Sequence, residues 1–167
     1  MERFCAGDQH AFEQLYRRMG PLVQRFLAPM VRDPALTEDL TQLTFLSAIR
    51  SRDRYTPGAK VAPWLLTIAA NAARDALRRR TREAAATMMI SSTVDPQTPD
   101  QGLRRQIEGA LSKLPSAQRE AVILHRLQGF SFDQIAKVLG TTSTAARIRA
   151  HRGYQRLREL LRHLEPS

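Results

Sequence analysis

The chain has 167 residues, and 26 Lys and Arg against 16 Asp and Glu give it a formal net charge of +10 at pH 7. This length allows one domain or two small ones, and the basic excess indicates a polyanionic partner. No apolar run approaches the roughly 18 residues of a membrane span, and the polar start does not resemble a signal peptide. We therefore expect a cytoplasmic protein, and the single cysteine, Cys5, excludes an internal disulfide.

The beginning of the chain shows helical periodicity. Apolar residues at helical spacing predict a first helix that Asp8 caps and Gly20 ends. Pro21 then begins a second helix, at a position where proline is tolerated. Pro29 is expected to kink or shorten that helix.

A third helix, ending near Ser51, has more apolar residues than one face requires. These residues either form the core of the domain or partly face a partner. A basic loop over residues 50–60 leads to a fourth helix that ends in the basic run 78–82. Cations beside aromatic residues suit single-stranded DNA; Trp64 is better explained as a core residue, whereas Tyr55 fits either interpretation.

Residues 85–101 predict a linker, because they contain two prolines, several Ser and Thr, and no Lys or Arg. The linker separates a domain over residues 1–84 from a domain over residues 102–167. Met88 and Met89 are unusually apolar for a free linker and are candidates for binding a surface. A fifth helix and a sixth helix that Ser116 caps open the second domain. With no strand signal of useful length, the predicted fold is all-α, with two small helical domains.

The stretch from residue 132 to 158 predicts a helix-turn-helix. Ser131 is a natural N-cap of its first helix, and Gly140 ends that helix where a left-handed residue is needed. The second helix has one stripe of small residues, and its opposite face is basic: Arg147, Arg149, Arg152, Arg156 and Arg158. Such a helix suits the major groove of DNA. The alternative is an ordinary helical hairpin with a solvated basic face.

Two parts of the chain together resemble the extracytoplasmic-function (ECF) sigma factors of bacterial RNA polymerase. The segments GDQHAFEQLYRRM, LTEDLTQLTFLSAIRSRDRY and PWLLTIAANAARDALRRR are similar to region 2 of that family. The segments LSKLPSAQREAVILHRLQGFSFDQIAKVLG and ARIRAHRGYQRLREL are similar to region 4. The order of the two regions and the linker between them also match, so the combination is far more specific than a helix-turn-helix alone.

The resemblance implies three sets of binding residues and no cofactor or metal. One set matches the helix that docks on the β′ clamp helices of core polymerase, with Phe45 as an apolar anchor. This set is Asp39, Gln42, Phe45, Leu46 and Ile49. The set matching the −10 element contacts is Tyr55, Lys60, Asn71, Asp75, Arg78 and Arg79. The set matching the −35 element contacts is Thr144, Arg147, Ile148, Arg149, His151 and Arg152.

The implied partners are core RNA polymerase, through its β′ clamp helices and its β flap, promoter DNA, and an anti-sigma factor. The chain departs from the family where an acid is frequent, at Leu43, and where a serine is usual, at Ile148. Ile148 either faces thymine methyl groups or repacks the helix.

Two other classes of protein match the sequence less well. A repressor or activator would share the helix-turn-helix but would have no use for the helix that carries Asp39, Gln42 and Phe45. The sequence does not support an enzyme, because the four histidines are scattered and no phosphate-binding loop motif is present. His125 is better explained as a packing residue than as a metal ligand.

Overall fold

The part of the chain that the structure describes consists of helices joined by short turns and loops. A computed structural model describes residues 1–86 and 99–162, and within these ranges it contains eight α-helices. They are α1 (Glu2–Cys5), α2 (Gln9–Val31), α3 (Pro34–Arg50), α4 (Val61–Ala86), α5 (Pro99–Ser112), α6 (Ser116–Val122), α7 (Phe132–Leu139) and α8 (Ser143–Leu161). A 3-10 helix, Arg52–Arg54, follows α3, and a π-helical segment, Ile123–Leu127, continues α6. The all-α prediction is confirmed, and the question about Met88 and Met89 lies outside the described residues.

Helix α2 runs without interruption where the sequence predicted two helices. Asp8 caps it as predicted, accepting a hydrogen bond from a backbone N–H of the first turn at 3.1 Å. The predicted stop at Gly20 and start at Pro21 are wrong, and Pro29 does not end the helix either. Each proline removes one backbone hydrogen bond. The continuous helix compensates by burying a full apolar stripe: Leu15, Val23, Phe26, Leu27 and Met30.

The first helical unit, residues 1–86, packs α2, α3 and α4 around one apolar core. The ring of Trp64 lies at the edge of this core, with its centroid 6.5 Å from that of Phe4 and 5.1 Å from that of Tyr55. The interpretation of Trp64 as a packing residue is therefore confirmed.

The second helical unit, residues 99–162, contains the predicted helix-turn-helix as α7 and α8. The Ser131 hydroxyl accepts from the Gln134 N–H at 3.3 Å, and the Gln134 side chain accepts from the Ser131 N–H at 3.0 Å. This reciprocal capping box fixes the start of α7. Gly140 ends α7 in the left-handed region, at φ 60°, as predicted. Ser116, by contrast, is the first residue of α6 and caps nothing, so that prediction is wrong.

The stripe of small residues on α8 lets this helix lie directly against α6. Ala146, Ala150 and Gly153 are all buried. A Cβ atom on Gly153 would lie 2.6 Å from Cγ2 of Val122, a distance that real Cβ atoms essentially never show. The buried stripe fixes which face of α8 points outward, and this outward face is the basic one.

The two helical units pack against each other in this structure, a point that the sequence left open. Helix α7 lies on α4, whose residues Ala69, Ala70 and Ala73 are fully buried. Core residues of both units, including Ile123 and Ile135 of the second, belong to one continuous apolar cluster. The two helical units are thus held in one arrangement.

Candidate nucleic-acid interface

Helix α8 presents its basic residues to solvent. Of the predicted −35 contacts, Thr144, Arg147, His151 and Arg152 are exposed and Arg149 is half-exposed. Ile148 is 46% exposed, so it does not repack the helix and is free to meet an apolar group such as a thymine methyl. The only acidic residue of α8 comes near its end, at Glu159. The helix therefore offers one continuous cationic face next to the turn.

The first arginine of α8 lies over an aromatic ring. The Cζ atom of Arg147 is 5.4 Å from the ring centroid of Phe132. The imidazole of His125 stacks on the same phenyl ring, with centroids 4.6 Å apart and an interplanar angle of 7°. Its Nδ1 lies 2.7 Å from the hydroxyl of Tyr154, which is also on α8. His125 is a packing residue, as predicted, but the cluster as a whole was missed because its members come from three separate segments.

A second cationic surface follows the outer face of α4. Asn71, Asp75, Arg78 and Arg79, the predicted −10 contacts of this helix, are all exposed. Asp75 and Arg78 form only a loose pair, at 3.7 Å. Asp75, Arg78 and Arg79 also line a cleft with a volume of 910 Å³, which α4 forms with Ser116 and Arg119 of the second unit. The surface is strongly basic, and this charge attracts phosphate groups.

Arg74, between the predicted −10 contacts, joins the two helical units. Its guanidinium donates to both carboxylate oxygens of Glu120, at 2.8 to 3.3 Å, and to the side-chain oxygen of Asn71 at 2.8 Å. The Glu120 side chain is only 3% exposed. The hydrogen bonds to Glu120 are the main reason that the pKa of Arg74 is raised, although burial lowers it. Neither residue drew attention in the sequence, because an ion pair across 46 positions leaves no local pattern.

Arg119 provides a second polar link between the units. Its Nη1 donates to the backbone carbonyl of Met30, at the end of α2, at 3.0 Å. Burial lowers the pKa of Arg119, and the nearby Glu120 partly offsets this effect. Its Nε is buried and has no hydrogen-bond acceptor among the described residues. The contact between the units is thus polar at its edge as well as apolar at its centre.

The loop before α4 does not present Tyr55 as a base-binding residue. Tyr55 is only 7% exposed, and its hydroxyl donates to the backbone carbonyl of Ala59. Burial raises its pKa. The role of Tyr55 as an exposed −10 contact therefore does not fit this structure, in which the buried tyrosine hydrogen-bonds to the backbone of its own loop. Lys60, at the other end of the loop, is exposed as predicted.

The exposed face of α3 differs in one residue from the predicted polymerase-binding set. Asp39, Gln42 and Leu46 are exposed and Ile49 is half-buried, but Phe45 is only 1% exposed. The Phe45 ring packs 4.6 Å from that of Tyr16 on α2, so it cannot act as a surface anchor in this structure. The apolar part of the face comes from Leu43 and Leu46, which are 43% and 51% exposed. The neighbouring Tyr16 of α2, which is 39% exposed, was missed by sequence reasoning.

Among residues 1–86 and 99–162, no group of His, Cys, Asp and Glu is arranged to hold a metal ion. No helix within those ranges is both long enough and apolar enough to cross a membrane.

These features define a DNA-binding protein with two cationic surfaces, one on a helix-turn-helix and one on a separate helical unit. Residues 15–83 match the family model for sigma-70 region 2, and residues 104–157 match the model for sigma-70 region 4. The chain is 53% identical over 172 residues to the RNA polymerase sigma factor CarQ of Myxococcus xanthus, with 99% of this chain and 97% of that protein covered. It is 33% identical over 159 residues to the ECF RNA polymerase sigma factor SigM of Mycobacterium tuberculosis, with 95% and 81% covered. The chain belongs to the ECF family of RNA polymerase sigma factors.

Two solved structures have a similar arrangement of helices. The sigma factor RpoE of Bartonella quintana, in complex with the anti-sigma factor NepR, superposes with a TM-score of 0.79 at 29% identity and covers 91% of this chain and 97% of its own. CnrH, in complex with the cytosolic domain of CnrY, superposes with a TM-score of 0.78 at 25% identity and covers 97% and 94%. These values extend over both helical units, so the packing of the two units is part of the likeness.

Proposed function

We propose that this chain binds core RNA polymerase through α3 and directs it to promoters with a −10 and a −35 element. The observation that carries the proposal is the pairing of two exposed cationic surfaces on units that match regions 2 and 4, in the family's order. It acts by binding, without a catalytic site or cofactor, and it works in the cytoplasm, where the polymerase is.

The polymerase contact is assigned to the exposed face of α3. Asp39 and Gln42 provide polar groups there, and Leu46 provides a large exposed apolar side chain. An apolar centre with a polar rim is typical of protein interfaces. Phe45 contributes by packing beneath this face, and Tyr16 and Leu43 extend it.

The −10 contact is assigned to α4 and the −35 contact to α8. Arg78 and Arg79 lie on the exposed side of α4, where their charges suit the backbone of an opened strand. Arg147 and Arg149 lie in the first half of α8, the part that a helix-turn-helix places in the major groove. Specificity for the −35 element would come from bidentate contacts of these arginines to guanine edges.

Control by an anti-sigma factor is part of the proposal. The support is the likeness to the RpoE–NepR complex, which spans both helical units of this chain. A partner that contacts both units would favour the closed arrangement and would compete for the surfaces that polymerase and DNA need.

The test separates the two binding functions in the reconstituted holoenzyme. Arg149→Ala is expected to weaken promoter-dependent transcription about tenfold, the loss typical of one specific base contact, and to leave binding to core polymerase unchanged. Leu46→Ala is expected to weaken binding to core polymerase. Lys113→Ala removes a charge from an exposed position outside both surfaces and serves as the control. Equal loss of both functions in Arg149→Ala would contradict the −35 assignment.

A further inference from the structure

The stack of His125 and Phe132 lies next to the beginning of α8. Phe132 is the first residue of α7 and is half-buried, and the guanidinium carbon of Arg147 lies 5.4 Å from its ring centroid. This distance is within the range of a cation–π contact. Arg147 is otherwise exposed and makes no hydrogen bond or ion pair with the described residues.

The ring of Phe132 is itself held in place. The imidazole of His125 lies parallel to it at 4.6 Å. His125 belongs to the π-helical segment that continues α6, and its Nδ1 is in hydrogen-bond contact with the hydroxyl of Tyr154 at 2.7 Å. Tyr154 lies two turns after Arg147 on α8, so the stack contacts α8 at two places, through Arg147 and through Tyr154. The phenyl ring therefore has a defined orientation relative to α8.

A ring that holds a guanidinium in this way changes the cost of binding DNA. An exposed arginine loses rotamer freedom when it docks on a base, and a preorganised arginine loses less. The N–H donors of a guanidinium lie in its own plane, so a guanidinium that stacks flat on a ring keeps them free for base edges or phosphates. We infer that Phe132, supported by His125, is a positioning residue that orients Arg147 for recognition of the −35 element. The inference rests on the proposed function.

The test uses reconstituted holoenzyme and a promoter fragment recovered by transcription from a genomic library. Phe132→Leu keeps an apolar side chain but removes the π face, and Phe132→Tyr keeps the ring. With Phe132→Leu, binding to this fragment is expected to weaken roughly two- to fivefold, the loss of one exposed cation–π contact. On the same fragment with a scrambled −35 segment, Phe132→Leu is expected to bind as well as the wild type. Phe132→Tyr is expected to bind the intact fragment within about twofold of the wild type, since its ring face has the same quadrupole.

A double-mutant cycle then asks whether Phe132 acts through Arg147. Once Arg147 is alanine, adding Phe132→Leu is expected to cause no further loss. Additive losses, or an equal loss on the scrambled fragment, would overturn the inference. A loss in Phe132→Leu that comes with lower thermal stability is resolved by a second measurement. In the wild-type protein, NMR is expected to show an upfield ring-current shift of the Arg147 side-chain protons, and the absence of this shift would also overturn it.

The outcomes keep the two proposals apart. If wild-type holoenzyme starts transcription and Arg147→Ala weakens it while Phe132→Leu does not, the positioning role is wrong and the sigma function stands. If Arg147→Ala does not weaken transcription, Arg147 makes no −35 contact that Phe132 could position, and the inference also fails. If wild-type holoenzyme starts no transcription, the proposed function itself is contradicted.

Discussion

Removing the charge of Glu120 is expected to loosen the contact between the two helical units. Its carboxylate is 3% exposed and accepts three hydrogen bonds from Arg74, whose side chain is 26% exposed. Breaking a buried ion pair costs about 3–5 kcal/mol because the remaining charge is left without a partner. Water can reach Arg74 from one side, so we expect about 2–3 kcal/mol for Glu120→Gln.

This loss would shift the balance between closed and separated units by roughly 30- to 150-fold, since each 1.4 kcal/mol or so is a factor of ten. Small-angle X-ray scattering of the full chain should then show a larger radius of gyration, and urea unfolding should begin earlier. Glu159→Gln removes the same charge from the exposed end of α8 and is the matched control. Arg74→Met leaves Glu120 buried and unpaired, so it should be at least as damaging, and the double variant should recover part of the loss. Unchanged scattering and unfolding in both single variants would show that the bond between Arg74 and Glu120 does not hold the two units together.

Three further predictions concern packing and charge. Gly153→Ala should lower the free energy of unfolding by about 1–3 kcal/mol in urea titrations, because the new methyl group would overlap Val122; a neutral result would contradict the close packing of α8. Phe45→Ala should lower the free energy of unfolding by about 3–5 kcal/mol. Leu46→Ala should weaken binding to core polymerase and leave the free energy of unfolding unchanged. Equal stability of the two variants would contradict the packing role of Phe45. Asp8 has a pKa below its ordinary value, first because of the backbone N–H that it accepts from and then because of a neighbouring guanidinium. Its stabilising effect is therefore present above the unfolded-state pKa and is lost as the pH falls through the lower folded-state pKa. The difference in Tm between wild type and Asp8→Ala should shrink over that acidic range, and a constant difference would count against the cap.

The features that local sequence could predict are those that depend on a few neighbouring residues. The N-cap at Ser131, the left-handed Gly140 and the basic face of α8 each follow from short patterns, and each is present. The stop at Gly20 failed because burial along α2 outweighs the local preferences of glycine and proline.

The features that could not be predicted depend on residues far apart in the chain. The resemblance implied that Phe45 is a surface anchor, and only the position of α2 shows that its ring is covered by Tyr16. The bond between Arg74 and Glu120 and the closed packing of the units likewise require the tertiary structure. The resemblance to ECF sigma factors supplied roles for positions, but it could not say which of those side chains lie at the surface.

Promoter recognition by core RNA polymerase should depend on this chain if it acts as proposed. The most direct measurement is co-purification with bacterial core polymerase, followed by transcription of a genomic fragment library with and without the protein. We expect a stable complex and new start sites that share a −10 and a −35 element. Specific binding of duplex DNA by the protein alone, with no polymerase complex and no new start sites, would contradict this expectation and would indicate a repressor or activator.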